Sequence, residues 1–105
     1  MTGAELRQII VAKWGFSYDI QLRRLKDRII AQVMWRYLEQ ASFPLSEAEY
    51  LDRLGVVATY FSDWGVTEQV KEFIQTTKSK PRLGKAVNIP LAIGDRSLEW
   101  LLDQA

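Results

Sequence analysis

The chain has 105 residues, 48% hydrophobic and 26% charged, with 14 Lys and Arg against 13 Asp and Glu for a net charge of +1. That size and balance suit one globular domain, and they exclude a disordered chain, a global attraction to nucleic acid or anionic lipid, and any apolar run of the roughly 20 residues that span a bilayer. With no Cys and no His, disulfides, thiolate nucleophiles, iron–sulfur ligation, imidazole proton transfer and the usual zinc ligands are excluded together.

Met1-Thr2-Gly3-Ala4-Glu5-Leu6 has no basic stretch leading into an apolar one, so no signal peptide is expected and a cytoplasmic location is. Thr2 and Glu5 set the T-x-x-E spacing of a capping box. Leu6, Ile9, Ile10 and Lys13-Trp14 follow at helical intervals up to Gly15, which predicts a first helix over 3–14.

Two readings compete over 16–40. Tyr18, Ile20 and Leu22 alternate with Asp19, Gln21 and Arg23, as in a half-buried strand, and 29–38 is rich in β-branched and aromatic residues. A hairpin with its turn over 24–28 follows. Leu22, Leu25, Ile29, Val33 and Tyr37 also recur at helical spacing, but a helix there would carry Lys26 and Arg36 in its apolar arc and would start uncapped. The hairpin is the favoured reading.

Ser42-Phe43-Pro44-Leu45 breaks the chain, and Ser46 with Glu49 sets a second capping box, with Leu45 and Tyr50 placed for a staple-like contact around it. Tyr50, Leu51, Leu54, Val57, Ala58 and Phe61 then form a helical apolar face that stops at Gly65. Thr67 is predicted to cap a third helix, with Val70, Phe73 and Ile74 inward, running out before Pro81. From 82 to 93 the chain reads as extended, and Pro90 confines a strand there to a sheet edge. A short amphipathic helix over 96–104, carrying Leu98, Trp100, Leu101 and Leu102, is expected to dock on the domain. The predicted fold is a single α+β domain over 1–105, with 91–105 as a loosely attached C-terminal helix. Its order is α-β-β-α-α-β-α, with a small antiparallel sheet, a hairpin plus an edge strand, packed against three to four helices.

No catalytic site stands out. Nothing in the spacing pairs two carboxylates for acid–base work, and Glu47, Glu49 and Asp52 fall near the start of a helix, where acids stabilise the dipole. The G-x-S-x-G and S-x-x-K nucleophile motifs are absent, and Gly84-Lys85-Ala86 lacks both the spacing and the hydroxyl of a phosphate loop. No enzyme, no cofactor and no metal site is expected.

Lys78, Lys80, Arg82 and Lys85 put four positive charges in eight residues with no acid among them. Such a run can meet an acidic protein surface or phosphates, and it reads equally as a solvated connection that keeps a sheet edge soluble. Arg23, Arg24, Lys26 and Arg28 form a second basic cluster around the predicted hairpin turn. The favoured function is a non-catalytic protein-binding module. Lys78, Lys80, Arg82 and Lys85 would steer an acidic partner, and Val87, Ile89 and Leu91 would pair with it as an added strand. The alternative is RNA binding through 23–28 and 78–85, with Trp35, Tyr37 and Phe43 as stacking platforms, although aromatic residues at such positions more often pack.

Several stretches taken together resemble a known family: Lys13-Trp14-Gly15, Gln32-Val33-Met34-Trp35, Tyr37-Leu38-Glu39-Gln40-Ala41-Ser42-Phe43-Pro44-Leu45, Trp64-Gly65 and Pro81-Arg82-Leu83-Gly84-Lys85-Ala86-Val87-Asn88-Ile89-Pro90-Leu91. In this order, and with the first six residues, they are similar to a small family of cyanobacterial and plastid proteins known only as a domain of unknown function, over residues 1–91. The resemblance implies an oxygenic phototroph, with residence in the cyanobacterial cytosol or the plastid stroma, and a role near photosynthesis or plastid-type housekeeping; the favoured protein-binding module would there be an assembly or regulatory factor. It brings no catalytic residues.

Overall fold

The computed structural model describes residues 1–93. The elements run α1 Gly3–Trp14, β1 Tyr18–Leu25, β2 Arg28–Tyr37, α2 Glu47–Asp63, α3 Thr67–Thr76 and β3 Val87–Pro90. The helix predicted over 96–104 lies outside the described residues.

Local signals set the first two helices. The Glu5 amide donates to Thr2 Oγ1 at 3.1 Å, and Gly15, at φ 87°, closes α1 by donating to the Val11 carbonyl at 2.8 Å. At α2 the capping box is complete: the Glu49 amide donates to Ser46 Oγ at 3.2 Å and the Ser46 amide to Glu49 Oε1 at 3.0 Å. Tyr50 takes Phe43 as its aromatic neighbour, edge-on at 6.0 Å between centroids. The third start differs from the prediction. Thr67 is the first helical residue, and the cap position belongs to Val66, which makes no side-chain capping bond. Val66 is fully buried, so burial of its side chain takes precedence over a hydroxyl cap.

The hairpin reading holds over 18–37. Lys26, which a helix would have buried, sits exposed in the turn at φ 47°, and Arg36 is exposed as well. The turn is tighter than predicted, since Leu25 pairs with Arg28 and only Lys26 and Asp27 remain between them. β2 is central, with β1 and β3 antiparallel on its two sides. Of the extended stretch predicted over 82–93, only Val87–Pro90 is strand. Reciprocal backbone bonds between Arg82 and Lys85 (3.0 and 2.7 Å) close a turn just before it.

The register assigns the two faces. Ile20, Val33 and Val87 lie abreast, as do Leu22, Ala31 and Ile89. These side chains join one core with Leu6, Ile10, Leu54, Phe61 and Ile74 from the helices. On the opposite face Gln21, Gln32 and Asn88 lie abreast and form an amide ladder across all three strands, at 3.1 and 2.9 Å.

Where the β1–β2 register shifts, between Tyr18 and Ile20, buried Asp19 accepts from the Ile20 amide at 3.0 Å and from Arg53 Nη1 at 2.6 Å. Burial pushes the Asp19 carboxyl up; Arg53, the Ile20 bond and Arg36 pull it back, and it ends above its ordinary 3.8. A carboxyl raised in the folded state contributes stability below its unfolded value and loses it as pH rises through the folded one. Removing Arg53 raises the folded value further. Arg53→Met is therefore expected to cost about 1–3 kcal/mol at neutral pH, with the difference from wild type shrinking as the carboxyl is protonated on acidification. Urea unfolding of both proteins across that range checks it; a pH-independent difference would place the cost elsewhere than on Asp19.

Candidate functional site

After α3 the chain turns extended at Thr77 and enters the basic segment. It does not run free. Trp14 Nε1, at the end of α1, donates to the Ser79 carbonyl at 3.1 Å, and the Ser79 amide donates to Thr77 Oγ1 at 3.2 Å. One turn back, Lys13 Nζ donates to the Gln75 carbonyl at 3.2 Å. Pro81 is buried. The Arg82–Lys85 turn follows, with Gly84 at φ 78° supplying a conformation that a side chain disfavours. At its tip Leu83 is 92% exposed. The turn geometry asks for glycine at 84 but not for leucine at 83.

The tethered segment, this turn and the start of β3 enclose an open cleft of about 440 Å³ lined by Lys78, Ser79, Lys80, Arg82, Lys85 and Asn88, with Phe73 and Val87 contributing apolar wall. Among the described residues no carboxylate lines it. The ion pairs among the described residues lie elsewhere, joining Arg7 to Glu39 and Glu47, Arg53 to Asp19 and Lys71 to Glu68. The four cations predicted as a run thus converge on one concavity and lack an internal counter-charge among the described residues.

The other predicted partner residues fall differently. Val87 and Ile89 are buried and Leu91 is half-buried against the core, because strand alternation turns them toward the helices. Their side chains cannot meet an added strand; what β3 presents outward is its backbone edge, with Asn88 and Pro90 exposed. Arg23, Arg24, Lys26 and Arg28 gather at the hairpin tip, beside a shallow depression that Asp27 also lines. Because β3 runs antiparallel to β2, with Val87 opposite Val33 and Pro90 opposite Ile30, residues 78–85 enter at the far end of the sheet from that tip. The five residue-to-residue steps from Arg28 to Val33 alone span roughly 17 Å. The basic clusters do not merge into one patch.

The aromatic candidates do not line the cleft. Tyr37 packs on Phe16 and Tyr18, at 4.6 and 5.6 Å between centroids, and Phe43 packs on Tyr50. Trp35 is half-buried and outside the core cluster. The carboxylates near the helices have structural partners. Burial acts to raise Glu39, but bonds from the Ser17 amide (2.8 Å) and hydroxyl (2.7 Å), with Arg7 nearby, hold it below its ordinary 4.5. Glu49 is bound in its cap. No group of three acids that could hold a metal ion occurs among the described residues, and none of their helices is long and apolar enough to cross a membrane.

Sequence reasoning found the four cations but missed Ser79, Leu83 and Asn88. Leu83 was legible as an apolar residue set between Arg82 and Gly84 in a basic run. The Trp14 tether was not, since its partner lies 65 residues away.

The family described as a domain of unknown function (DUF3067) matches residues 4–101. Among solved structures, the chain is similar to the Alr2454 protein from Nostoc sp. strain PCC 7120, determined by solution NMR, with 57% identity and a TM-score of 0.87, covering 96% of this chain and 97% of that one. A comparison with curated proteins found no match.

Proposed function

Because the chain belongs to the DUF3067 family, whose description names no activity, we propose from its surface that it is a non-catalytic protein-binding module that takes an acidic partner segment into the cleft between α3 and β3. The observation that carries this reading is the convergence of Lys78, Lys80, Arg82 and Lys85 on one concavity that no carboxylate among the described residues lines. Opposite charge steers and orients a partner there, and Leu83, exposed at the tip of its hydrogen-bonded turn, offers an apolar anchor. In an oxygenic phototroph, as the Nostoc relative suggests, such a module would act as an assembly or regulatory factor in the cytosol, or in the stroma of plastid relatives. Separation of the two basic clusters works against a continuous nucleic-acid track.

The test is capture from nuclease-treated cyanobacterial lysate with wild type and with Arg82→Glu/Lys85→Glu. Both residues are exposed, so the variant is expected to melt like wild type while losing its protein partners, and wild-type capture is expected to weaken as salt rises. Identical partner sets would remove the cleft from consideration. Partners that disappear with nuclease alone would favour nucleic acid.

A further inference from the structure

We infer that the anion this cleft takes is a phosphate ester carried by the partner segment, an inference that rests on the acidic-docking reading above. The side chains that line the cleft offer donors. Three lysines, one arginine and Ser79, whose side chains carry donors, are among its lining residues. Asn88 also borders the cleft, its side chain engaged on the other sheet face, where Oδ1 accepts from Gln32 Nε2 at 2.9 Å. Four cations are a poor match for a carboxylate, which brings one charge and two oxygens. A phosphate ester brings about −1.5 to −2 at neutral pH and three strong acceptor oxygens. The bond from Trp14 holds the Ser79 backbone and the paired bonds of the 82–85 turn hold the backbone of Arg82 and Lys85, so the main chain at the site is set before the ligand arrives and the long side chains remain to be ordered. The site is also discrete. The second basic cluster stands at the other end of the sheet, so one phosphate fits better than the repeating phosphates of a nucleic-acid strand.

The chain has no histidine, and neither lysine nor arginine ordinarily titrates between about pH 5 and 8. The second ionisation of a phosphate ester lies near about 6. Affinity for a phosphorylated segment should therefore fall as pH drops through that value, and a carboxylate ligand should show no such fall.

The experiment uses the full ¹⁵N-labelled chain and three flexible Gly/Ser peptides with flanking Asp, identical except for phosphoserine, glutamate or serine at the centre. Inorganic phosphate and a single-stranded oligonucleotide serve as further probes. The phosphoserine peptide is expected to shift the amides of Ser79, Lys80, Arg82, Lys85 and Asn88. It should bind at least about tenfold tighter than the glutamate peptide near neutral pH, since a second charge and a third oxygen are added. That advantage should shrink on acidification and disappear in Arg82→Gln/Lys85→Gln. Saturable shifts of the same amides with inorganic phosphate would support the site. Equal binding of the phosphoserine and glutamate peptides at every pH would overturn the inference and leave acidic docking standing. Failure of both peptides would overturn both readings, and tighter binding of the oligonucleotide would overturn this one in favour of nucleic acid.

Discussion

Replacing Tyr50 with alanine is expected to cost about 3–5 kcal/mol, out of roughly 5–15 kcal/mol that stabilises a domain of this kind. Tyr50 is fully buried in α2 and joins parts of the chain that share no local signal. Its ring meets Phe43 from the loop before α2, and the Arg7 guanidinium of α1 lies 5.9 Å from its centroid. Its hydroxyl donates to the Tyr18 carbonyl at 2.9 Å, beside the register shift of the hairpin. Burial is the main reason its phenol is pushed far above the ordinary 10; the hydroxyl therefore stays a donor throughout the working range. Tyr50→Phe separates the contributions. It keeps the ring and removes the hydroxyl's bond to the buried carbonyl, at an expected cost of about 1–3 kcal/mol. Urea unfolding of the three proteins checks the order wild type, Phe, Ala. A phenylalanine variant as unstable as the alanine one would put the stability in the hydrogen bond rather than in packing.

Much of the fold was legible because the strongest signals are local. Thr2 with Glu5 and Ser46 with Glu49 mark helix starts by short-range bonds, and these starts are where the structure puts them. The hairpin was legible from what a helix could not tolerate, since Lys26 and Arg36 would have entered its apolar arc. Where tertiary burial competes with a local signal, reading fails: Val66 displaces Thr67 from the third cap because its side chain fills the core. Alternation along β3 was visible too, but the face that Val87 and Ile89 take is fixed by the helices, and those side chains are inside.

The candidate site was legible in half. Its cations are a run in the sequence, so their identity needed no structure. Their meaning depends on position, because the same run on a flat, solvated connection would keep an edge soluble and nothing more. Two long-range facts make it a cleft. One is the bond from Trp14 to Ser79; the other is the antiparallel pairing of β3 with β2, which places the run away from Arg23, Arg24, Lys26 and Arg28. No periodicity encodes either. The family resemblance, carried by ordered motifs, was legible, and it brought membership without chemistry.

Opposite signs are expected for two alanine substitutions at the crossing of α1 and α2. A Cβ on Gly3 would sit 2.7 Å from the Gly55 amide nitrogen and 2.8 Å from the Leu51 carbonyl oxygen. Both obstacles are helix backbone and cannot rotate aside, so Gly3→Ala must separate the helices or fray the first turn of α1, at about 1–3 kcal/mol. A Cβ on Gly55 meets nothing within 4 Å, and Gly55 lies inside a helix, where alanine is favoured by roughly 0.8–1 kcal/mol. Gly55→Ala should therefore raise the unfolding midpoint while Gly3→Ala lowers it. Denaturant unfolding of each variant measures the difference, and amide shifts at Leu51 and Gly55 report whether the crossing opens. An unchanged midpoint for Gly3→Ala with undisturbed α2 amides would mean that the start of α1 yields without cost, and that the close approach of the two backbones contributes little to holding the helices together.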